Sequence, residues 1–99
     1  MINVVGISDM MVTKNIDETL ITYSLGSSLG VVIYDPVARV AGLLHSILPL
    51  SKMDSQKSSR FPYIFVDTGI HHLFREAAKL GAEKKRLLVS AIGCFSLMD

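Results

Sequence analysis

The chain is 99 residues long and its charges nearly cancel, with ten Lys and Arg against nine Asp and Glu and a net charge of +1 at pH 7. This length predicts a single domain, and this balance provides no field that would attract nucleic acid or an anionic membrane. The single cysteine, Cys94, excludes an internal disulfide bond. No apolar run approaches the ~20 residues that cross a bilayer, so we expect a soluble, cytoplasmic protein that is not inserted in a membrane.

Four candidate strands occupy the first half of the chain. Residues 10–13 and 19–24 are short β-rich runs, and residues 29–34 are apolar at consecutive positions, as in a strand covered on both faces. Residues 35–36, Asp-Pro, predict a turn because proline presets a turn dihedral and cannot donate to a strand ladder. Residues 40–48 are then predicted to be the partner strand of a hairpin.

The second half of the chain predicts one helix and a closing strand. Residues 67–80 carry apolar side chains at helical spacing. Asp67 or Thr68 can cap the first turn, and Gly81 suits the left-handed position after the last turn. Residues 87–92 predict the closing strand. The predicted fold class is α/β: a compact sandwich with a mixed or antiparallel strand-rich sheet and one main amphipathic helix.

The turn between the strands at 19–24 and 29–34 contains residues that could carry chemistry. Gly26 permits a tight backbone path, and the amides near Ser27 and Ser28 could point at a developing oxyanion. A plain turn fits the same residues. The pattern G-x-S-x-G centred on Ser28 is also that of serine hydrolases, but we discount it. Their nucleophile opens a helix, whereas Ser28 precedes a predicted strand.

His45 lies on the predicted strand at 40–48. Alternation places it on the same face as Ala41, Leu43 and Ile47. A buried core histidine that hydrogen-bonds to a neighbouring group fits this position, and so does a general base, because imidazole titrates near neutral pH. If the Ser28 turn and His45 belong to adjacent strands of one sheet, the two side chains meet.

Asp67, His71 and His72 place three potential metal ligands at the start of the predicted helix. Zinc sites need three or four ligands at set spacings with supporting groups, and we find no such set. We interpret Asp67 as a cap and the two histidines as exposed, and we expect no metal and no cofactor. Cys94 is interpreted as a small buried apolar residue rather than a nucleophile.

Six short motifs follow one another along nearly the whole chain. They are the strand at residues 9–14, Thr22-Tyr23-Ser24-Leu25-Gly26-Ser27-Ser28, Tyr34-Asp35-Pro36, Gly42-Leu43-Leu44-His45-Ser46-Ile47-Leu48-Pro49, Asp67-Thr68-Gly69-Ile70 and Leu80-Gly81-Ala82. No single motif is decisive, but their order is hard to attribute to chance. Together they resemble the chemoreceptor glutamine deamidase family of bacterial chemotaxis (CheD).

The resemblance implies a fold, an activity, a site and partners. The family is a compact α/β sandwich that hydrolyses receptor glutamine side chains to glutamate and also binds a CheC-type phosphatase. Carried over by position, Ser28 occupies the place of the nucleophilic cysteine and His45 that of the base. Thr22 occupies the place of the third site residue, which orients the imidazole. Gly26 and Ser27 fall in the oxyanion and substrate turn.

Two departures from the family pattern bear on function. A serine hydroxyl is far less acidic than a thiol, whose pKa is about 8.5, so Ser28 predicts weak or absent activity. The family also continues past the position of Gly93 with further strands. We therefore expect one CheD-like domain over residues 1–99 that lacks the family's C-terminal segment. We expect exposed apolar surface and a strand edge beside residues 87–92, with self-association or a partner there.

Two hypotheses of different class follow. One is a chemoreceptor glutamine deamidase. The other is a catalytically impaired CheD-like binding module that interacts with a CheC-type phosphatase or a chemoreceptor. Position 28 discriminates between them, and serine there favours the second. The expected partners are the cytoplasmic helices of chemoreceptors, a CheC-type phosphatase and, as a further candidate, a second copy of the chain; no nucleic acid is expected.

Overall fold

The computed structural model describes residues 1–23, 28–47, 63 and 65–93. Within these ranges the strands are β1 (Ile2–Val4), β2 (Asp9–Thr13), β3 (Thr19–Ile21), β4 (Leu29–Asp35), β5 (Val40–Ser46) and β6 (Leu88–Gly93), and the α-helix is α1 (Val66–Lys79). A 3-10 turn at Lys84–Arg86 connects α1 to β6. No helix of the described part is long and apolar enough to cross a membrane.

A four-stranded antiparallel sheet in the order β2-β5-β4-β6 forms the centre of the fold. β4 and β5 form the predicted hairpin, with Asp35 opposite Val40 at the turn. β1 and β3 form a separate two-stranded parallel sheet, which contacts β5 through β3. Because α1 packs on β5 and β2, the domain is an α/β sandwich of a strand-rich sheet and one main helix, and the predicted fold class is confirmed.

The core lies between α1 and one face of the main sheet. A side chain at Gly42 on β5 would come within 2.9 Å of Leu73 Cδ1, so glycine allows the helix to approach the strand closely. Leu44, Leu73 and Ile33 are fully buried, and each such side chain stabilises the fold by about 1.5–3 kcal/mol. Because side chains alternate along a strand, His45 projects from the opposite face of the sheet.

The prediction is correct for the C-terminal end of α1 but not for its N-terminal end. The N-cap residue is Phe65, which precedes the predicted start at Asp67 and makes no side-chain capping bond. Asp67 lies inside the first turn, where its Oδ1 accepts the Thr68 amide at 2.9 Å. Phe65 is fully buried, so packing contributes to fixing where the helix starts. At the other end Gly81 has a φ of +107°, the left-handed conformation predicted for it.

Apart from shifts of one residue at their ends, the strands differ from the prediction at four places. The strand predicted at 40–48 ends at Ser46, and residue 48 lies outside the described residues. β1 is absent from the sequence-based prediction. The predicted strand at 19–24 ends at Ile21, after three residues. β4 is fully covered on the helix side only: Tyr34 on the other face is 39% exposed, because the small sheet contacts β5 instead.

β6 is an edge strand, and its residues are exposed on both faces of the sheet. Leu88, Val89 and Ile92 are all more than half exposed. The apolar surface and strand edge expected beside residues 87–92 are therefore present in the described part of the chain.

Candidate active site

Ser28 and His45 meet across two adjacent strands. Ser28 directly precedes β4, and His45 lies near the end of β5 in register with Gly30. Ser28 Oγ lies 2.7 Å from His45 Nε2. Ser28 is 3% exposed and His45 is fully buried, so the contact is shielded from solvent. The two side chains thus occupy the arrangement expected if they belong to one sheet, while their catalytic roles stay a prediction.

Thr22 follows β3 and contacts the other ring nitrogen of His45. Its Oγ1 lies 2.9 Å from His45 Nδ1 and donates a hydrogen bond to the Val5 carbonyl oxygen at 2.7 Å. A carbonyl oxygen can only accept, and a hydroxyl has a single proton, so Thr22 accepts a hydrogen bond from His45 Nδ1–H. Val5 comes directly after β1 and is 1% exposed, so the small parallel sheet holds the threonine hydroxyl in place.

These contacts fix the tautomer of His45. The neutral ring carries its proton on Nδ1, and Nε2 accepts a hydrogen bond from the Ser28 hydroxyl. Burial lowers the pKa of His45 from its usual 6.5, which favours the neutral ring. A neutral imidazole whose free nitrogen faces a hydroxyl is in the state that a general base requires. A continuous series of hydrogen bonds therefore runs from Ser28 through His45 and Thr22 to Val5.

The other sequence candidates do not join this arrangement in the described part of the chain. Gly26, Ser27 and Cys94 lie outside the described residues, so the oxyanion turn stays a prediction. His71 and His72 lie on α1, which packs on the face of the sheet opposite His45.

His72 is engaged elsewhere on the helix. Its Nδ1 accepts a hydrogen bond from Arg75 Nη2 at 2.9 Å. Burial and the positive charge of Arg75 lower the pKa of His72. The sequence predicts that both histidines are exposed: His71 is, whereas His72 is half-buried.

Val5 is a site residue that the sequence does not indicate. It contributes a backbone carbonyl, and a backbone group leaves no side-chain signature. The signal available is the set of β-branched residues Ile2, Val4 and Val5, which is consistent with a strand but does not identify the hydroxyl that the strand meets.

Asp35 is a second buried polar group, at the turn of the β4–β5 hairpin. Its Oδ1 accepts the Val37 and Ala38 amides at 2.9 and 3.0 Å, and its Oδ2 accepts the Glu83 amide at 2.9 Å. Arg86 Nη2 lies 2.9 Å from Oδ2. Arg86, together with these amides, holds the pKa of Asp35 well below its usual 3.8. The carboxylate thus ties the hairpin turn to the segment that leads into β6.

The fold and the site together define a class of protein. An α/β sandwich that aligns a hydroxyl, an imidazole and a second hydroxyl contains the groups that nucleophile–histidine hydrolases use. The family described as CheD chemotactic sensory transduction matches residues 47–99. This match covers more than half of the chain, and the chain belongs to the CheD family. Thr22, Ser28 and His45 precede the matched segment.

Curated relatives align over nearly the whole chain, including the site. Proteins named probable chemoreceptor glutamine deamidase CheD 1 from Syntrophus aciditrophicus and probable chemoreceptor glutamine deamidase CheD from Solibacter usitatus are 46% and 42% identical over 96 residues, or 97% of this chain. A protein named probable chemoreceptor glutamine deamidase CheD from Pyrococcus horikoshii is 40% identical over 95 residues, or 96% of this chain. The chain spans 57–60% of the length of these relatives.

Proposed function

We propose that this chain carries the site of a chemoreceptor glutamine deamidase, acting in the cytoplasm on glutamine side chains of receptor helices. Ser28 is the nucleophile, His45 is the general base, and Thr22 orients the imidazole. The observation that carries the proposal is the 2.7 Å contact between Ser28 Oγ and His45 Nε2, with Nδ1–H directed to Thr22. The names of the aligned relatives support the substrate class.

The reaction follows from the positions of the protons. Ser28 Oγ attacks the carboxamide carbon while His45 Nε2 takes the hydroxyl proton. The imidazolium then returns this proton to the departing ammonia as the carbon–nitrogen bond breaks, leaving an ester on Ser28. A water molecule, deprotonated by Nε2, attacks the ester, and Ser28 leaves with the proton as glutamate is released. Thr22 accepts Nδ1–H throughout and stabilises the imidazolium.

Oxygen at position 28 limits the rate of this reaction. A thiol with a pKa of about 8.5 is a few per cent ionised near neutral pH, whereas serine must lose its proton during the attack itself. A site built around sulfur also misplaces the shorter-bonded oxygen, and an error of ~1 Å can cost about a hundredfold in rate. We expect little or no deamidation by Ser28 and faster deamidation after Ser28→Cys.

Mass spectrometry of a glutamine-containing chemoreceptor fragment tests the proposal. Each deamidation exchanges NH for O and adds ~1 Da to the fragment. The Ser28→Cys variant is expected to modify the fragment, the native chain to do so slowly or not at all, and Ser28→Ala not to modify it. Robust turnover that survives Ser28→Ala would remove Ser28 from the role of nucleophile.

Serine at position 28 also supports a second candidate, a binding module without hydrolysis. Such a module retains the shape of the site and binds a chemoreceptor or a CheC-type phosphatase. In that case Ser28→Cys leaves the mass of the receptor fragment unchanged, although the native chain binds the fragment or the phosphatase. Titration calorimetry with both partners separates this outcome from loss of the fold.

A further inference from the structure

Gly93, the last residue of β6, lies directly against the backbone of Ser28. It pairs in register with Leu29, the first residue of β4. A Cβ atom at position 93 would come within 2.3 Å of the Ser28 carbonyl oxygen and 3.1 Å of Leu29 Cα. Both are backbone atoms, so no flexible side chain can move aside to make room. Glycine therefore permits a contact that any other residue would force apart.

We propose that Gly93 is a positioning residue for Ser28: by letting β6 close onto the Ser28 carbonyl, it fixes where the Ser28 hydroxyl meets His45. The inference deepens the proposed deamidase function and rests on it for its catalytic meaning. Gly93 acts through the backbone of Ser28, whose carbonyl oxygen it faces.

His45 is fixed independently of β6, which is why a displaced Ser28 loses its partner. Thr22 holds Nδ1 at 2.9 Å and is itself tied to Val5. If a side chain at position 93 moves the Ser28 backbone, the imidazole cannot follow the hydroxyl. The 2.7 Å contact at Nε2 then lengthens while the contact at Nδ1 is retained.

β6 itself contributes little to the core. Leu88 is 63% exposed and Ile92 is 55% exposed, and the strand lies at the edge of the sheet. An alanine at position 93 can therefore be accommodated by a local shift of β6 and Ser28, at limited cost to the rest of the fold. The effect is expected at the site before it is expected in global stability.

Two other glycines provide matched controls. A Cβ at Gly6 would meet nothing within 4 Å, so Gly6→Ala adds a methyl group in open space. A Cβ at Gly42 would press on Leu73 Cδ1 at 2.9 Å, on the helix side of the sheet. Gly42→Ala therefore lowers stability through the core without pushing on Ser28.

Nitrogen-15 spectra of the histidine rings, recorded across a pH titration, test the proposal without requiring activity. In Gly93→Ala we expect the His45 Nε2 signal of the neutral ring to shift, because this nitrogen loses the hydrogen bond from Ser28. The Nδ1–H signal should persist. Gly6→Ala and Gly42→Ala should leave both His45 signals as in the native chain.

Activity supplies the second readout. In the Ser28→Cys background, Gly93→Ala should lower kcat for the receptor fragment by about 10–100-fold, as a displacement of the nucleophile does, with KM little changed. Unchanged His45 signals in Gly93→Ala would overturn the proposal. A Gly93→Ala chain without dispersed amide signals would also overturn it, because the contact would then support the fold rather than the site.

The two readouts separate the proposals. If Ser28→Cys never deamidates the fragment but the His45 signals still respond to Gly93→Ala, the deamidase function fails and the positioning of Ser28 by Gly93 stands. If Ser28→Cys is active and Gly93→Ala changes neither its kcat nor the His45 signals, the deamidase function stands and the role of Gly93 fails.

Discussion

Thr22 accepts a hydrogen bond from His45 Nδ1 at 2.9 Å, because its own proton is donated to the Val5 carbonyl at 2.7 Å. This relationship determines which ring nitrogen faces Ser28 as an acceptor. A parallel pair of three-residue strands, β1 and β3, thereby sets the protonation geometry of a histidine on a different sheet. Thr22 therefore orients the His45 ring because it is itself held by the Val5 carbonyl.

Replacing Thr22 by valine removes this acceptor at nearly constant volume. Nδ1–H is then buried without its partner, and the ring can rotate or change tautomer. In the Ser28→Cys background we expect Thr22→Val to lower kcat for receptor deamidation on the order of a hundredfold, within the range that general-base catalysis contributes. Thr22→Ser keeps the hydroxyl and should retain most of the activity. Equal activity of the valine and serine variants would contradict the orienting role.

The lowered pKa of His45 predicts a pH-dependent stability. Below pH 6.5 the unfolded chain takes up a proton on this histidine, while the folded chain resists it until the pH reaches the lower, folded-state pKa. The contribution of His45 to the free energy of unfolding is therefore complete above pH 6.5 and is lost as the pH falls through this window. Urea unfolding at a series of pH values from roughly 5 to 7.5, a range around the usual pKa of histidine, measures how the free energy of unfolding changes with pH.

His72 also makes the free energy of unfolding decrease as the pH falls, because its pKa is lowered as well. Two variants separate the contributions. His45→Gln should remove the part due to the site, and His72→Gln should leave that part in place. A slope in His45→Gln equal to the native slope would show that His45 titrates normally in the folded protein.

The sequence predicts the parts of this molecule that depend on local pattern. The Asp-Pro turn predicts the β4–β5 hairpin, and the apolar spacing over residues 67–80 predicts α1. The sequence also places Ser28 and His45 in one site, because each lies on a recognisable motif. Val5 could not be found in this way, because it contributes a backbone carbonyl and because the apolar side chains of Ile2 and Val4 lie on the exposed face of β1.

The role of Gly93 depends on tertiary information that no local motif contains. Its contact with Ser28 requires the register of β6 against β4, and these strands are separated in sequence by β5 and α1. The N-terminus of α1 is similar, since the burial of Phe65 outweighs the capping preference that would place the start at Asp67. Packing between distant segments decides both features.

The buried Asp35 and the partly exposed Arg86 form an ion pair that connects the end of β4 to the segment before β6. Asp35→Asn should leave Arg86 with the exposed Glu83 as its carboxylate partner and weaken the contacts of the Asp35 side chain, and we expect the Tm to fall on the order of 10 °C. Glu83→Gln, which removes the exposed partner of Arg86, should change the Tm little. Thermal unfolding followed by circular dichroism measures both.

The difference in stability between the native chain and Asp35→Asn should depend on pH. Because the pKa of Asp35 lies below 3.8 in the folded protein, its contribution is present above pH 3.8 and is lost as the pH falls toward the folded-state pKa. If Asp35→Asn and Glu83→Gln have the same Tm near neutral pH, the pair of Asp35 and Arg86 does not anchor the hairpin.

The open edge of β6 predicts association. No strand pairs with the edge of β6 away from β4 in the described part of the chain. The strand Leu-Val-Ser-Ala-Ile-Gly contains no charged residue, whereas edge strands that resist pairing commonly carry lysine or another charge. Its apolar side chains at positions 88, 89 and 92 are more than half exposed. This combination favours pairing with another chain.

Sedimentation of the native chain at micromolar concentration should therefore show a dimer or larger species, or a complex when a CheC-type protein is added. Val89→Lys places a charge on the edge strand and should shift the equilibrium toward monomer. Val37→Lys is the matched control, because Val37 is 69% exposed in the hairpin turn and lies off β6. A cooperative native monomer that binds no such partner would show that an exposed, uncharged edge is not by itself sufficient for association. Equal shifts in both lysine variants would indicate that net charge, rather than the β6 edge, controls assembly.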